Sequence, residues 1–204
     1  MARSLRLLRG VGIGDFTIVA GYRAEQYQRF ARDHRDVRVV VNSEYASTGS
    51  MASFAAALDA GVGGGMLLLE SDIIYEARAL TAILGSVCEC ATLVSGPTGA
   101  GDEVWVDADA GLLRAMSKRR ADLPSTAGEF VGITRLSAGG AIAMRNQFAT
   151  FVAAHGHGRM DYETGALVAV SAVQPVGVVV VPDLQWGEID DERHHARVSA
   201  IRWT

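Results

Sequence analysis

The first half of the chain alternates short apolar runs with amphipathic stretches, and this change of period is what most restricts the fold. Phe16-Thr-Ile-Val-Ala20 reads as a buried strand, Gly21-Tyr22-Arg23 as the turn into a helix through Gln26, Tyr27, Phe30 and Ala31, and Val37 to Val41 as a second strand. Met51, Phe54, Ala55 and Leu58 share one face of a further helix, and Met66 to Glu70 form a third strand that ends at Ser71-Asp72. Such a succession predicts an α/β domain around a mostly parallel central sheet, because parallel neighbours need a crossover and the usual crossover is a helix. Leu5, Leu7 and Leu8 running into Gly10 and Gly12 predict the last turns of a helix and its cap.

Past Ala77 to Leu84, a predicted helix, and Ala91 to Val94, a predicted strand, the pattern changes. Glu103 to Asp107 and Leu112 to Met116 flank Asp109-Ala-Gly111, which predicts a small β-hairpin extension around a glycine turn. Glu129 to Leu136 offers another strand, followed by helices over 138–154 and 162–171 and a last apolar strand from Val176 to Val181. Trp186 to Asp191 then precedes a charged terminal helix. Apolar residues at 49% against 21% charged exclude a disordered chain and argue against a membrane span. The net charge of -4 argues against a nucleic-acid partner, which needs a basic face. Cys88 and Cys90 lie too close for a framework disulfide, and Met1 to Arg9 carries charge where an export signal needs an apolar centre. The expectation is a single domain over 1–204 in the reducing cytoplasm.

In open α/β sheets, ligands bind beyond the carboxyl ends of the strands. Asp72 follows an apolar run that would deliver its carboxylate to that edge, while Glu188 and Asp190 share a side if extended. Carboxylates so placed repel, and a hard dication such as Mg2+ relieves the repulsion. Two plainer readings stand beside this one: Asp72 as a turn or helix-capping residue, and Glu188 to Glu192 as the acidic first turn of a helix. His155, His157, His194 and His195 read as solvated side chains rather than zinc ligands, and Arg29, Arg32, Arg35 and Arg38 as a solvated face.

Several segments together carry a resemblance. Asp36-Val-Arg-Val-Val-Val-Asn-Ser-Glu-Tyr45, the Ser-Thr-Gly-Ser-Met-Ala-Ser loop, Leu69-Glu-Ser-Asp-Ile-Ile-Tyr75 and Trp186-Gly-Glu-Ile-Asp-Asp191 are similar to CTP-dependent nucleotidyltransferases. The family is that of the bacterial phosphocholine cytidylyltransferases and their relatives acting on 2-aminoethylphosphonate. Gly101-Asp-Glu-Val-Trp105, Met116-Ser-Lys118, Gly128 to Ile133 and Asp161-Tyr-Glu-Thr164 extend the likeness over nearly the whole chain, and the form of these segments leans to the phosphonate branch.

The resemblance implies a three-layer α/β/α nucleotide-diphospho-sugar transferase-like fold. It also implies a reaction in which a phosphonate or phosphomonoester oxygen attacks the α-phosphorus of CTP and expels pyrophosphate. Asp72, Glu188 and Asp190 would hold Mg2+, the loop from Asn42 through Ser50 to Ser53 would lie against the nucleotide, and Lys118, the chain's single lysine, would face the anionic acceptor. Glu129 and Glu163 would oppose the acceptor's ammonium, with Tyr75 or Tyr162 as cation–π faces. An aromatic content of 7% favours a primary amine over trimethylammonium, which wants an aromatic cage.

Family members open with a strand and a Gly-x-Gly-x-Arg-Leu loop that cradles the triphosphate, and nothing in this chain matches it. The resemblance therefore implies a domain short of its first βα unit, about forty residues, whether from a late start, a truncation or a descendant that no longer catalyses. That last alternative predicts a nucleotide-binding or partner subunit, with a homodimer covering the exposed sheet edge. A sugar-1-phosphate nucleotidyltransferase using another base is the remaining alternative.

Overall fold

The computed structural model describes residues 1–203, which pack as two units. The unit comprising 12–64 and 138–170 is built on two parallel strands, β1 (Phe16–Ala20) and β2 (Val37–Val41), in register from Phe16↔Val37 to Ala20↔Val41. The helix between them is α2 (Ala24–Arg32), entered through Arg23 at φ 52. Helix α3 (Ser50–Asp59) buries Met51, Phe54, Ala55 and Ala57, one residue off the expected stripe at its end. Helix α5 (Ala138–His155) and a π-helical segment, Tyr162–Leu167, which runs on into the short α6 (Val168–Ser171), complete the unit. Arg29, Arg32, Arg35 and Arg38 are all exposed.

The other unit, residues 1–11, 65–137 and 171–203, holds α1 (Ala2–Gly10), α4 (Arg78–Leu84), α7 (Glu192–Ser199) and eight strands. These are β3 (Met66–Leu69), β4 (Ile73–Tyr75), β5 (Ala91–Ser95), β6 (Trp105–Asp109), β7 (Leu112–Ser117), β8 (Gly128–Leu136), β9 (Gly177–Val181) and β10 (Trp186–Glu188). Six of them form one sheet in the order β3-β8-β5-β9-β7-β6, and an added β8–β6 pairing closes five strands into a ring. The expected mostly parallel central sheet is thereby corrected. Within this sheet only β5 and β9 run parallel, and every other pair is antiparallel. The predicted hairpin is also no extension, since β6 joins β8 and β7 joins β9 as part of the ring.

The local reason lies in β8. Its nine residues pair with β5 at both ends, with β6 at Gly128 and Glu129, and with β3 from Ile133 to Leu136. The β5 register shifts between Thr92 and Val94, opposite Gly132 at φ +79. A bulge at a left-handed glycine bends a strand, and bending is what closure needs. β5 itself is buried at every position, which explains why Ala91-Thr-Leu-Val-Ser95 reads as a continuous apolar run.

Between β6 and β7, Ala110 and Gly111 take φ 49 and 77 in a two-residue turn, the positive pair of a primed hairpin. Alanine tolerates that region poorly. Ala110→Asn is expected to stabilise the chain by about 1 kcal/mol, raising Tm by roughly 2–4 °C in calorimetry, because Asn enters the left-handed region readily. No helix among the described residues is long and apolar enough to cross a membrane.

Candidate active site

The pairing of β4 with β10 brings together carboxylates more than a hundred positions apart. The register runs Trp186↔Tyr75, Gly187↔Ile74 and Glu188↔Ile73, and Ile189 N–H donates to the carbonyl of Asp72 at 3.0 Å. Asp72 thus leaves the start of one short strand where Glu188 and Asp190 leave the end of its antiparallel partner. Asp191 is committed elsewhere. It caps α7, accepting from His194 N–H at 2.8 Å, and this bond, with Arg193 beside it, holds its carboxyl below the usual range. The acidic first-turn reading therefore describes Asp191 and Glu192, whereas Glu188 and Asp190 stand ahead of the helix.

Mutual crowding marks the group electrostatically. Loss of water and then the charges of Asp102, Asp72, Asp190 and Glu129 push the Glu188 carboxyl up to about 7. Asp72 remains accessible to solvent, yet its carboxyl is also raised, first by partial loss of water and then by Asp190 and Asp102. Three carboxylates of one sign, all hard oxygen donors, fit a dication that keeps waters for phosphate oxygens.

Glu129 sits at the ring's closure, opposite Ser95 on β5 and Trp105 on β6, and is 2% exposed. Its carboxylate accepts from Thr98 N–H at 2.5 Å and from Thr98 Oγ1 at 2.9 Å. Burial outweighs those bonds and pushes the group up to about 7, with Glu103 and Asp102 adding to the rise. The folded state then holds a proton that the unfolded chain releases near 4.5, so stability is fully present below that pH and is lost as pH rises to about 7. Glu188 acts in the same direction. Glu129→Gln is expected to remove about half of this decline, on the order of 2 kcal/mol, between pH 5 and 8 in denaturant titrations.

Tyr75 ends β4 and is 1% exposed, and burial pushes its phenol up to about 12. Lys118 follows β7 on an exposed segment ahead of a 3₁₀ turn, Arg120–Asp122.

In the unit built on β1 and β2, the remaining predicted residues form two small networks. Asn42 is buried at the end of β2, donating to Ser53 Oγ at 3.1 Å and Thr48 Oγ1 at 3.3 Å while accepting from Glu44 N–H at 3.0 Å. Asn42 therefore shapes the loop that leads into α3. Ser50, the first residue of α3, accepts from Tyr162 N–H at 2.9 Å and donates to Glu163 Oε2 at 3.5 Å. Tyr162 and Glu163 are both buried, at 4% and 5% exposure, in the first turn of the π-helical segment.

Two residues near the carboxylates lie outside the predicted site residues. Asp102 reaches them from the loop before β6, and its arrival there is purely a product of tertiary folding. His194, expected to be solvated, is instead 6% exposed, with Nδ1 facing Asp190 Oδ2 at 3.6 Å and Asp102 Oδ2 at 3.9 Å. The spacing of Asp190 and His194, four apart, was the available signal. His155 and His157 are exposed as expected and lie against Phe151, and both cysteines are free thiols.

No protein-family model matches the chain. Among solved structures, the inositol-1-phosphate CTP transferase from T. maritima superposes with a TM-score of 0.76 at 16% identity, covering 94% of this chain and 76% of that one. The CTP:phosphocholine cytidylyltransferase from Streptococcus pneumoniae gives 0.74 at 16% identity over 97% and 82%. A Bacillus anthracis protein assigned as a glucose-1-phosphate thymidylyltransferase gives 0.75 at 10% identity over 100% and 83%. At these identities the likeness is one of architecture: the chain has the mixed α/β fold seen in nucleotidyltransferases.

Proposed function

We propose that the chain is a nucleotidyltransferase that moves CMP from CTP to a small amino-alcohol phosphonate or phosphate, 2-aminoethylphosphonate ahead of phosphocholine, with release of pyrophosphate. The observation that carries this reading is the β4–β10 register, which gathers Asp72, Glu188 and Asp190 beside one another on strand ends. Phosphoryl chemistry of this type depends on positioning and charge neutralisation and needs no covalent nucleophile. Mg2+ held by the three carboxylates would neutralise phosphate charge and align the two reactants.

The protein's own groups supply the remainder. Asn42 is assigned to shape the loop against the nucleotide, holding Ser53 Oγ, whose own hydroxyl hydrogen can donate to a nucleotide oxygen, and Ser50 is assigned to the same loop at the start of α3. Lys118 is assigned to the acceptor's anionic group. Glu129 is assigned to its ammonium, and this buried carboxyl, poised near 7, ionises fully once a cation lies beside it.

Labelled CTP offered with equal amounts of 2-aminoethylphosphonate and phosphocholine tests the acceptor. The labelled product is expected to be mainly the phosphonate conjugate, and a preference for phosphocholine would overturn that assignment. A sugar-1-phosphate acceptor is the second reading, favoured by the similarity to the glucose-1-phosphate thymidylyltransferase assignment. Glucose 1-phosphate in the same mixture scores it.

A further inference from the structure

We propose that Asp102, Asp190 and His194 form a site for a transition-metal dication of the Mn2+, Co2+ or Zn2+ class. One atom from each, an imidazole nitrogen and two carboxylate oxygens, lies within 4.8 Å of the others. The two carboxylates are exposed and the imidazole lies beneath them, buried. His194 Nδ1 is sealed from water and has no hydrogen-bond partner among the described residues. A buried polar nitrogen left in that state has lost its water without regaining a partner, which is unfavourable.

The facing oxygens, at 3.6 and 3.9 Å, lie beyond hydrogen-bond reach of Nδ1 as they stand. A hydrogen bond from Nδ1–H to one shifted carboxylate would engage only that pair, whereas a metal engages all three groups at once. Bonds of about 2.0–2.2 Å to nitrogen and oxygen place neighbouring donors roughly 3 Å apart, so one ion bridges the gap after a small closure. The exposed Asp102 and Asp190 side chains can make that adjustment while the packed imidazole stays in place.

Donor chemistry selects the ion. Mg2+ and Ca2+ prefer oxygen throughout, whereas imidazole with carboxylate suits first-row transition metals. Three protein ligands leave coordination positions open to water or to a ligand oxygen. Asp190 also belongs to the carboxylates assigned to Mg2+, but Asp102 and His194 serve only this site, and Asp72 and Glu188 only the other. Two of its three ligands, Asp102 and His194, take no part in the proposed nucleotidyl transfer.

The test uses the full chain with metal alone, free of nucleotide and acceptor, so failure of the transfer reading leaves it unaffected. Pulsed EPR of the Mn2+-loaded protein is expected to show coupling to a histidine nitrogen, and His194→Asn to abolish it. Because His194 is buried, the exposed Asp102→Asn provides a variant that keeps the fold. Calorimetric titration with Co2+ should show affinity weakened at least about tenfold by Asp102→Asn. Absence of nitrogen coupling in the wild-type protein, or equal Co2+ affinity in Asp102→Asn, would overturn the site.

Discussion

Asp72→Asn is expected to lower acceptor-dependent pyrophosphate release from CTP by at least about 10²-fold, with little change in folding stability. Asparagine keeps the size of the side chain and leaves the Asp72 carbonyl free to accept from Ile189 N–H. What it removes is one of three negative charges at the β4–β10 junction, and with it a hard ligand for the assigned Mg2+. The direction of the stability change separates this from a structural effect. Asp72 is raised in pKa by its own surroundings, so its ionised form is held at a cost and the variant should melt no lower than the parent. Loss of activity with unchanged Tm is the expected pair of results in parallel kinetic and thermal measurements. Full Mg2+-dependent activity in the variant would remove Asp72 from the site.

The second large effect concerns closure of the ring of strands. Gly128 begins β8 at φ +150, and a Cβ there would overlap the backbone oxygen of Ser95 and lie 2.7 Å from Val94 Cγ1. Neither neighbour can withdraw easily, because Ser95 and Val94 belong to the fully buried strand β5. Gly128→Ala is expected to cost at least about 3 kcal/mol, combining backbone strain with overpacking, and to lower Tm on the order of 10 °C. Gly99→Ala is the matched control. Its φ of +70 is also left-handed, but nothing lies within 4 Å of the added methyl, so only about 1 kcal/mol of backbone strain is expected. Because Gly128 precedes Glu129 at the β6–β8 contact, the damaged closure also displaces a residue assigned to the acceptor.

How far these features can be read from the sequence depends on whether their cause is local. β1 and β2 coincide with the apolar runs at Phe16–Ala20 and Val37–Val41, because strand length and burial there are set by neighbouring residues. The Ala110-Gly111 turn is equally local, since two positive φ angles must follow from the two residues that adopt them. The ring of strands has no such signature. Its closure depends on β8 pairing with both β5 and β6, and the antiparallel pairing of 91–95 with 128–136 leaves no periodic mark on either segment.

The carboxylate group divides in the same way. Glu188 and Asp190 are legible as a spaced pair, but strands as short as Ile73–Tyr75 and Trp186–Glu188 are too brief to announce their pairing, which is what delivers Asp72 to them. Asp191 shows the opposite case. Its place ahead of a charged helix is an ordinary capping signal, and the structure uses it for that purpose. His194 was concealed by composition, because one histidine in a charged stretch looks solvated until the helix turns it under Asp190.

The most direct measurement of the central claim is pyrophosphate release from CTP and Mg2+ by the purified chain, with and without 2-aminoethylphosphonate. Acceptor-dependent release, coupled one for one to the CMP conjugate and lost in Asp72→Asn, is the predicted result. Protein that is folded by thermal melt and binds CTP, yet releases no pyrophosphate with any phosphonate or phosphate acceptor, would contradict it.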